Sequence, residues 1–204
     1  MFLYAVPYAP IPDISPFLAL MPPDRRGRFG GGSGNPGPLF AYGLLSVVLA
    51  RHFSLSTQDI VYTKAGKPYF PGDAVHFSIS HCKTHALCAV ADFPVGCDIE
   101  TQRAVSDRMI QRVLAEHEDA ADFFAYWTLK ESHIKLVGDM RLPFSAIDFR
   151  LDGDQAAGAD SYGWVYQDIP ACTAAILSAA AFPRPALQIF AAETLFSAIY
   201  KNRA

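Results

Sequence analysis

Val95-Gly96-Cys97-Asp98-Ile99-Glu100 (VGCDIE) is the stretch on which the reading of this chain turns. As a strand it puts Asp98 and Glu100 on one face and Ile99 on the other, because side chains alternate along a strand. Two neighbouring carboxylates repel, which raises a pKa unless a divalent cation relieves the repulsion. A further carboxylate lies in Trp127–Lys135 (WTLKESHIK), where helical spacing sets Trp127, Glu131 and Lys135 at i, i+4 and i+8 along one face. A carboxylate and an ammonium one turn apart suit a metal and a phosphate held together.

Working outward, Val75–Ser80 (VHFSIS) and Ala86–Ala91 (ALCAVA) predict a hairpin. Phe93-Pro94 then turns the chain into the acidic strand, so an antiparallel meander ending there is expected. Upstream, Leu3–Val6 predicts a strand, Ser15–Met21 a short helix stopped by Pro22 and Pro23, and Phe40 to His52 a longer helix. Between the helices lie a basic cluster (Arg25, Arg26, Arg28) and a glycine loop, Gly30–Gly37, which lacks the Lys-Ser/Thr pair of a P-loop. Ile60–Thr63 is strand-like and leads into Lys64-Ala65-Gly66-Lys67-Pro68, a turn carrying two ammonium groups. Downstream, Val105–His117 and Asp119–Val137 predict helices, with Asp119 as N-cap and Gly138 as stop. Strands are expected at Ile147–Leu151, Tyr162–Gln167, Cys172–Ser178 and Leu187–Ala192. Helix-then-strands thus occurs twice, an α+β pattern, and HALCAVAD loosely echoes CTAAILSA, a hint of internal duplication.

With 204 residues, 51% of them apolar, the chain can bury a full-sized core. No uncharged apolar run reaches the roughly 18 residues needed to cross a bilayer. The start, MFLYAVPYAP, lacks a basic n-region and is broken by Pro7, so no signal peptide is expected and the expected compartment is the cytoplasm. Cys82, Cys88, Cys97 and Cys172 fit free thiols better than a disulfide framework. The net charge of −3 argues against wholesale binding to nucleic acid.

GKPYF with FSISH, then VGCDIE, then WTLKESHIKLVG resemble, in that order, the 4′-phosphopantetheinyl transferases of the long single-chain, surfactin-synthetase-activating type. That family's pattern is (N/S)-(I/V)-S-H, G-x-D-x-E and W-x-x-K-E-x-x-x-K, and the resemblance spans Lys64 to Gly138. It implies two pseudo-symmetric α+β halves, 1–97 and 98–204, forming one catalytic unit with the site in the cleft between them and working as a monomer. It implies that Asp98, Glu100 and Glu131 hold Mg²⁺, and that Lys135 meets a phosphate of coenzyme A. Ser80 and His81 would meet the nucleotide's 3′-phosphate end, and Lys64, Gly66, Lys67 and Pro68 would contact the nucleotide. Arg28, with Arg25 and Arg26, stands where the family carries a basic residue for the same phosphates. The implied reaction moves 4′-phosphopantetheine from coenzyme A to a serine of an apo acyl or peptidyl carrier protein and releases 3′,5′-ADP. Asp98, Glu131 and Lys135 would be its catalytic residues, with Glu131 accepting the serine proton. The chain departs from the pattern after Gly138, where Asp139-Met140-Arg141-Leu142 replaces x-Gly-Leu. It departs again at Gly30–Gly37, which replaces a more basic stretch, and at Tyr42-Gly43, where an Arg is usual.

Each feature alone also fits a plainer role. Asp98 and Glu100 fit a solvent-facing strand edge, Glu131 and Lys135 a surface ion pair, and His81 a hairpin residue. Arg103, Arg108 and Arg112 fit a solvated face or a dock for an acidic carrier. Two other functions stay open on sequence: a coenzyme A or nucleotide binder without turnover, and an interaction domain with zinc on His81, Cys82, His85 and Cys88.

Overall fold

The computed structural model describes residues 1–26, 35–72 and 75–201; Arg28 and most of the Gly30–Gly37 loop lie outside them. In chain order the first elements are β1 (Phe2–Pro7), α1 (Ser15–Leu20), α2 (Pro23–Arg26), α3 (Gly37–His52), β2 (Val61–Tyr62), β3 (Pro68–Tyr69), β4 (His76–His81) and β5 (His85–Ala91). There follow β6 (Gly96–Thr101), α4 (Asp107–Val113), α5 (Phe123–Val137), β7 (Phe149–Asp152), β8 (Gln155–Gly158), β9 (Tyr162–Tyr166), β10 (Cys172–Ser178), β11 (Leu187–Ile189) and α6 (Ala192–Lys201). One sheet has the order β11-β1-β5-β4, a second β6-β10-β9-β8-β7, and β2 with β3 forms a small ribbon. The fold is α+β, and each large sheet is backed by one long helix.

Strand alternation builds the layers. On β1 and β5, Tyr4, Val6, Ala86, Cys88 and Val90 pack toward α3, while Leu3, Ala5, Leu87, Ala89 and Ala91 pack toward the second sheet. These strands read as unbroken apolar runs because both their faces are covered. Cys97, Ile99, Cys172, Ala174 and Ile176 meet them from β6 and β10. The opposite face of the second sheet, with Val165, Ala175 and Leu177, packs on Ala125, Leu129 and Leu136 of α5. Leu87, Ile99 and Ile176 are each 0% exposed, and burying side chains of this size contributes about 1.5–3 kcal/mol apiece.

The expected hairpin forms: β4 pairs antiparallel with β5, Ser80 opposite Leu87. The expected meander does not. β6 pairs with β10 in the second sheet, Asp98 opposite Ala175 and Glu100 opposite Thr173. The apolar face of β6 is buried against β1 and β5, which it can reach only from the opposing sheet. Where β6 passes β4, side chains replace a ladder. The Ser78 hydroxyl accepts from the Cys97 N–H at 3.0 Å, and the Cys97 thiol donates to the Ser78 carbonyl at 3.2 Å.

Asp119 caps, through the Ala121 N–H at 2.9 Å, a single 3₁₀ turn that leads into α5, and Gly138 ends α5 at φ 78°. The segment expected as a strand to Ala192 stops at Ile189, and α6 follows it. α3 is buried on nearly all sides, so it needs cover opposite the sheet. Leu195 and Ile199 of α6 supply that cover, with Phe17 of α1 beside them. Among the described residues no helix is long and apolar enough to cross a membrane, and the four cysteines are free.

Candidate active site

A Cβ at Gly96 would stand 2.0 Å from the Ser132 carbonyl oxygen, so only glycine lets α5 lie directly on β6. The Ser132 hydroxyl donates to the Ala175 carbonyl at 3.2 Å and holds the helix there. This close approach lowers Lys135 onto Asp98. The ammonium donates to Asp98 Oδ1 at 2.7 Å, to Ser80 Oγ at 2.8 Å and to the Cys97 carbonyl at 3.2 Å. The Ser80 hydroxyl in turn donates to Asp98 Oδ1 at 2.6 Å. Asp98 is 5% exposed, and its Oδ2 is buried without a hydrogen-bond partner.

Burial, and then the Asp98 charge, raises the Glu131 pKa against the opposing pull of Lys135. Burial and Asp98 likewise raise that of Glu100, although Arg103 sits 3.1 Å away and lowers it. Burial opposes the Lys135 ammonium, but Asp98, Cys97 and Glu131 together hold its pKa above the ordinary value. His81 ends β4 on the exposed rim, its pKa lowered by desolvation and then by Lys135. Glu100 and Glu131 thus each feel the Asp98 charge, with Lys135 opposite Asp98 and Glu131, and Arg103 opposite Glu100.

A cavity of about 230 Å³ opens beside Lys135, lined also by Arg25, Tyr62, Gly66, Lys67 and Pro68. Lys64 is exposed next to it and does not line it. The Lys67 ammonium donates to the Leu136 carbonyl at the C-terminal end of α5, and burial lowers its pKa; a cation there complements the helix dipole. Glu131 lines a second cavity of about 420 Å³ with Arg112 and Met140, and Met140 also lines the first. Glu100 and His81 line a third, of about 630 Å³. Arg103 lies over the Phe124 and Trp127 rings, 5.6 and 5.3 Å from their centroids.

The residue types fit Mg²⁺, which takes a few hard oxygen ligands. The orphaned Asp98 Oδ2 is the observation in favour: a buried acceptor that a cation would satisfy. Among the described residues the ligand groups drawn within 4.8 Å of one another are two others, Cys82–His85–Cys172 and His117–Glu118–Asp148. The proposed quartet of His81, Cys82, His85 and Cys88 does not assemble. Cys88 points into the α3 core, and Cys82 and His85 meet Cys172 instead.

Sequence reasoning passed over Lys130. It is 0% exposed, with its ammonium 2.6 Å from the equally buried Glu118 and 2.7 Å from the Val113 carbonyl. A lysine four residues after Tyr126 and next to Leu129 falls on the apolar stripe of α5, which was the available signal.

The fold and the site define an α+β protein whose acidic strand and lysine-bearing helix meet at a seam between two sheets. Residues 94–175 match the sequence model of the 4′-phosphopantetheinyl transferase superfamily. The chain is 30% identical to the 4′-phosphopantetheinyl transferase gsp of Aneurinibacillus migulanus, over 55% of this chain and 52% of the relative. It is 32% identical to the 4′-phosphopantetheinyl transferase Sfp of Bacillus subtilis (strain 168), over 54% and 56%. It is 27% identical to the 4′-phosphopantetheinyl transferase HetI of Nostoc sp., over 66% and 62%. The match spans about half the length of the first two of these relatives. Over these segments the chain is similar to the 4′-phosphopantetheinyl transferase superfamily and, within it, to relatives of the Sfp type.

Proposed function

We propose that this protein transfers 4′-phosphopantetheine from coenzyme A to a serine of an apo acyl or peptidyl carrier protein, as a holo-carrier-protein synthase of the cytoplasm. The observation that carries the reading is the contact of Lys135 with Asp98, on the rim of a cavity that also has Lys67 and Arg25 in its wall. In this reading the coenzyme A phosphates lie along Lys135, Lys67 and Arg25. Gly66 and Pro68 border the nucleotide, Lys64 stands at its edge, and Ser80 and His81 are near its 3′-phosphate. Arg28 is assigned to the same phosphates on sequence alone. Mg²⁺ held by Asp98, Glu100 and Glu131 would neutralise charge on the pyrophosphate. The carrier serine oxygen attacks the β-phosphorus, the bond to 3′,5′-ADP breaks, and Lys135 balances charge on the departing phosphate. Glu131, its pKa raised by burial and by Asp98, accepts the serine proton. The halves 1–97 and 98–204 act as one unit, and a monomer suffices because one chain supplies both walls of the cleft.

The test is incubation with coenzyme A, Mg²⁺ and a panel of apo acyl and peptidyl carrier proteins, read by intact-mass spectrometry. The expected result is addition of one phosphopantetheine to at least one carrier. Tight coenzyme A binding with every carrier left unmodified would instead establish a binder without turnover.

A further inference from the structure

The hairpin between β4 and β5 gathers a set of side chains that the transferase reading leaves unused. Cys82 Sγ and Cys172 Sγ are 3.7 Å apart, and Cys172 Sγ is 3.6 Å from His85 Nδ1. All three ligand atoms lie within 4.8 Å of one another. Tetrahedral zinc, with bonds of about 2.3 Å to sulfur and about 2.0–2.1 Å to nitrogen, sets sulfurs about 3.7–3.8 Å apart and sulfur and nitrogen about 3.5–3.6 Å apart. The two distances from Cys172 Sγ already match these separations, and the remaining pair lies within 4.8 Å.

We infer that Cys82, His85 and Cys172 form a binding site for one thiophilic divalent cation of the zinc type, separate from the carboxylate site. Cys172 and His85 are buried, whereas Cys82 is half-buried and lines an open cavity, which gives an ion a path inward. The fourth position is left to water, bordered by the Thr84 hydroxyl, which is 3.4 Å from Cys172 Sγ and 2.9 Å from His85 Nδ1. Thr84 is exposed, so water reaches that side. The backbone is fixed independently of any ion: the Tyr8 hydroxyl bonds the Cys82 and His85 carbonyls at 3.0 and 2.9 Å, and the Cys82 N–H donates to the His85 carbonyl at 2.9 Å. An ion here would join the hairpin of the first sheet to β10 of the second, one residue pair from Glu100, because Cys172 is the ladder partner of Thr101. Its role would be to lock the two sheets.

The test is cobalt titration of the full, reduced, metal-stripped chain, with Zn²⁺ as competitor. The expected result is one equivalent of Co²⁺ with a thiolate-to-cobalt charge-transfer band, displaced by one equivalent of Zn²⁺. Cys82→Ser and Cys172→Ser are expected to lose the band, and Cys88→Ser to keep it. Zn²⁺ is expected to raise the thermal midpoint of the wild type and not that of Cys82→Ser. Cobalt bound at the carboxylates gives no thiolate band, so the two sites are told apart. Absence of the band in the wild type, or its survival in Cys82→Ser, overturns the inference. Circular dichroism checks each variant's fold; should Cys172→Ser not fold, the wild-type titration and Cys82→Ser decide.

Discussion

Asp98 is where the chemistry concentrates, because one of its oxygens takes two donors and the other takes none. The free oxygen and the raised pKa values of Glu100 and Glu131 describe one condition: negative charge crowded in a half-buried place with too little compensation. A carboxyl whose folded-state pKa lies above its unfolded value binds more protons folded than unfolded across that window. Stability therefore falls as pH rises through the window and stays lowered above it, so both glutamates weaken the metal-free fold at neutral pH. A divalent cation favours their ionised forms and offsets this penalty. Mg²⁺ is accordingly expected to raise the thermal midpoint more at about pH 8 than at about pH 5, and Glu131→Gln should shrink the difference. A shift of the same size at both pH values, followed by scanning fluorimetry, counts against the carboxylate site. Glu131→Gln is also expected to cut transfer by about 10²–10⁴-fold, the usual yield of a general base. Coenzyme A binding by calorimetry should persist; transfer at the wild-type rate would remove Glu131 from the mechanism.

The α5 helix sets the precision of this arrangement, and it does so through residues of quite different visibility. The alternation of VGCDIE and the spacing of Trp127, Glu131 and Lys135 were legible because strand and helix periods dictate which side chains share a face. Gly138 as a left-handed stop was legible for the same local reason. The partner of Lys130 was not, since Glu118 reaches it across a turn whose path no local pattern encodes. That pair has both side chains fully buried, and removing one member strands a charge. Glu118→Gln is therefore expected to cost about 3–5 kcal/mol in urea denaturation, far more than an exposed ion pair. A cost below about 1 kcal/mol would mean that the carbonyls of Val113 and Phe144 satisfy the ammonium without the carboxylate. The α6 helix also escaped the sequence reading: it is short and terminal, and the need for it appears only once α3 is seen to be apolar all round.

Across the whole molecule, what the sequence could not express is the seam. Ser78 and Cys97 look like ordinary strand residues, yet they join the two sheets where no ladder forms, and the site lies at the next positions along β4 and β6. On α4, Arg108 and Arg112 are exposed, and Arg112 also walls the cavity of Glu131. Arg103 is committed to the Phe124 and Trp127 rings and to Glu100, so under the proposed function an acidic carrier would dock on the other two. Exposed charges of this kind steer encounter and are screened by salt, with a Debye length of about 10 Å at 0.1 M and about 3 Å at 1 M. The double variant Arg108→Gln/Arg112→Gln is expected to raise KM for the carrier about three- to thirtyfold at low ionic strength, from roughly 0.3–1 kcal/mol for each of two pairs. Near 1 M salt the two proteins should converge, because the wild type then loses the same attraction. KM for coenzyme A should be the same in both proteins, since neither arginine lines the Lys67–Lys135 cavity. Equal carrier KM values at low salt would move the dock elsewhere, the Asp139-Met140-Arg141 loop between the two cavities being the next surface to vary.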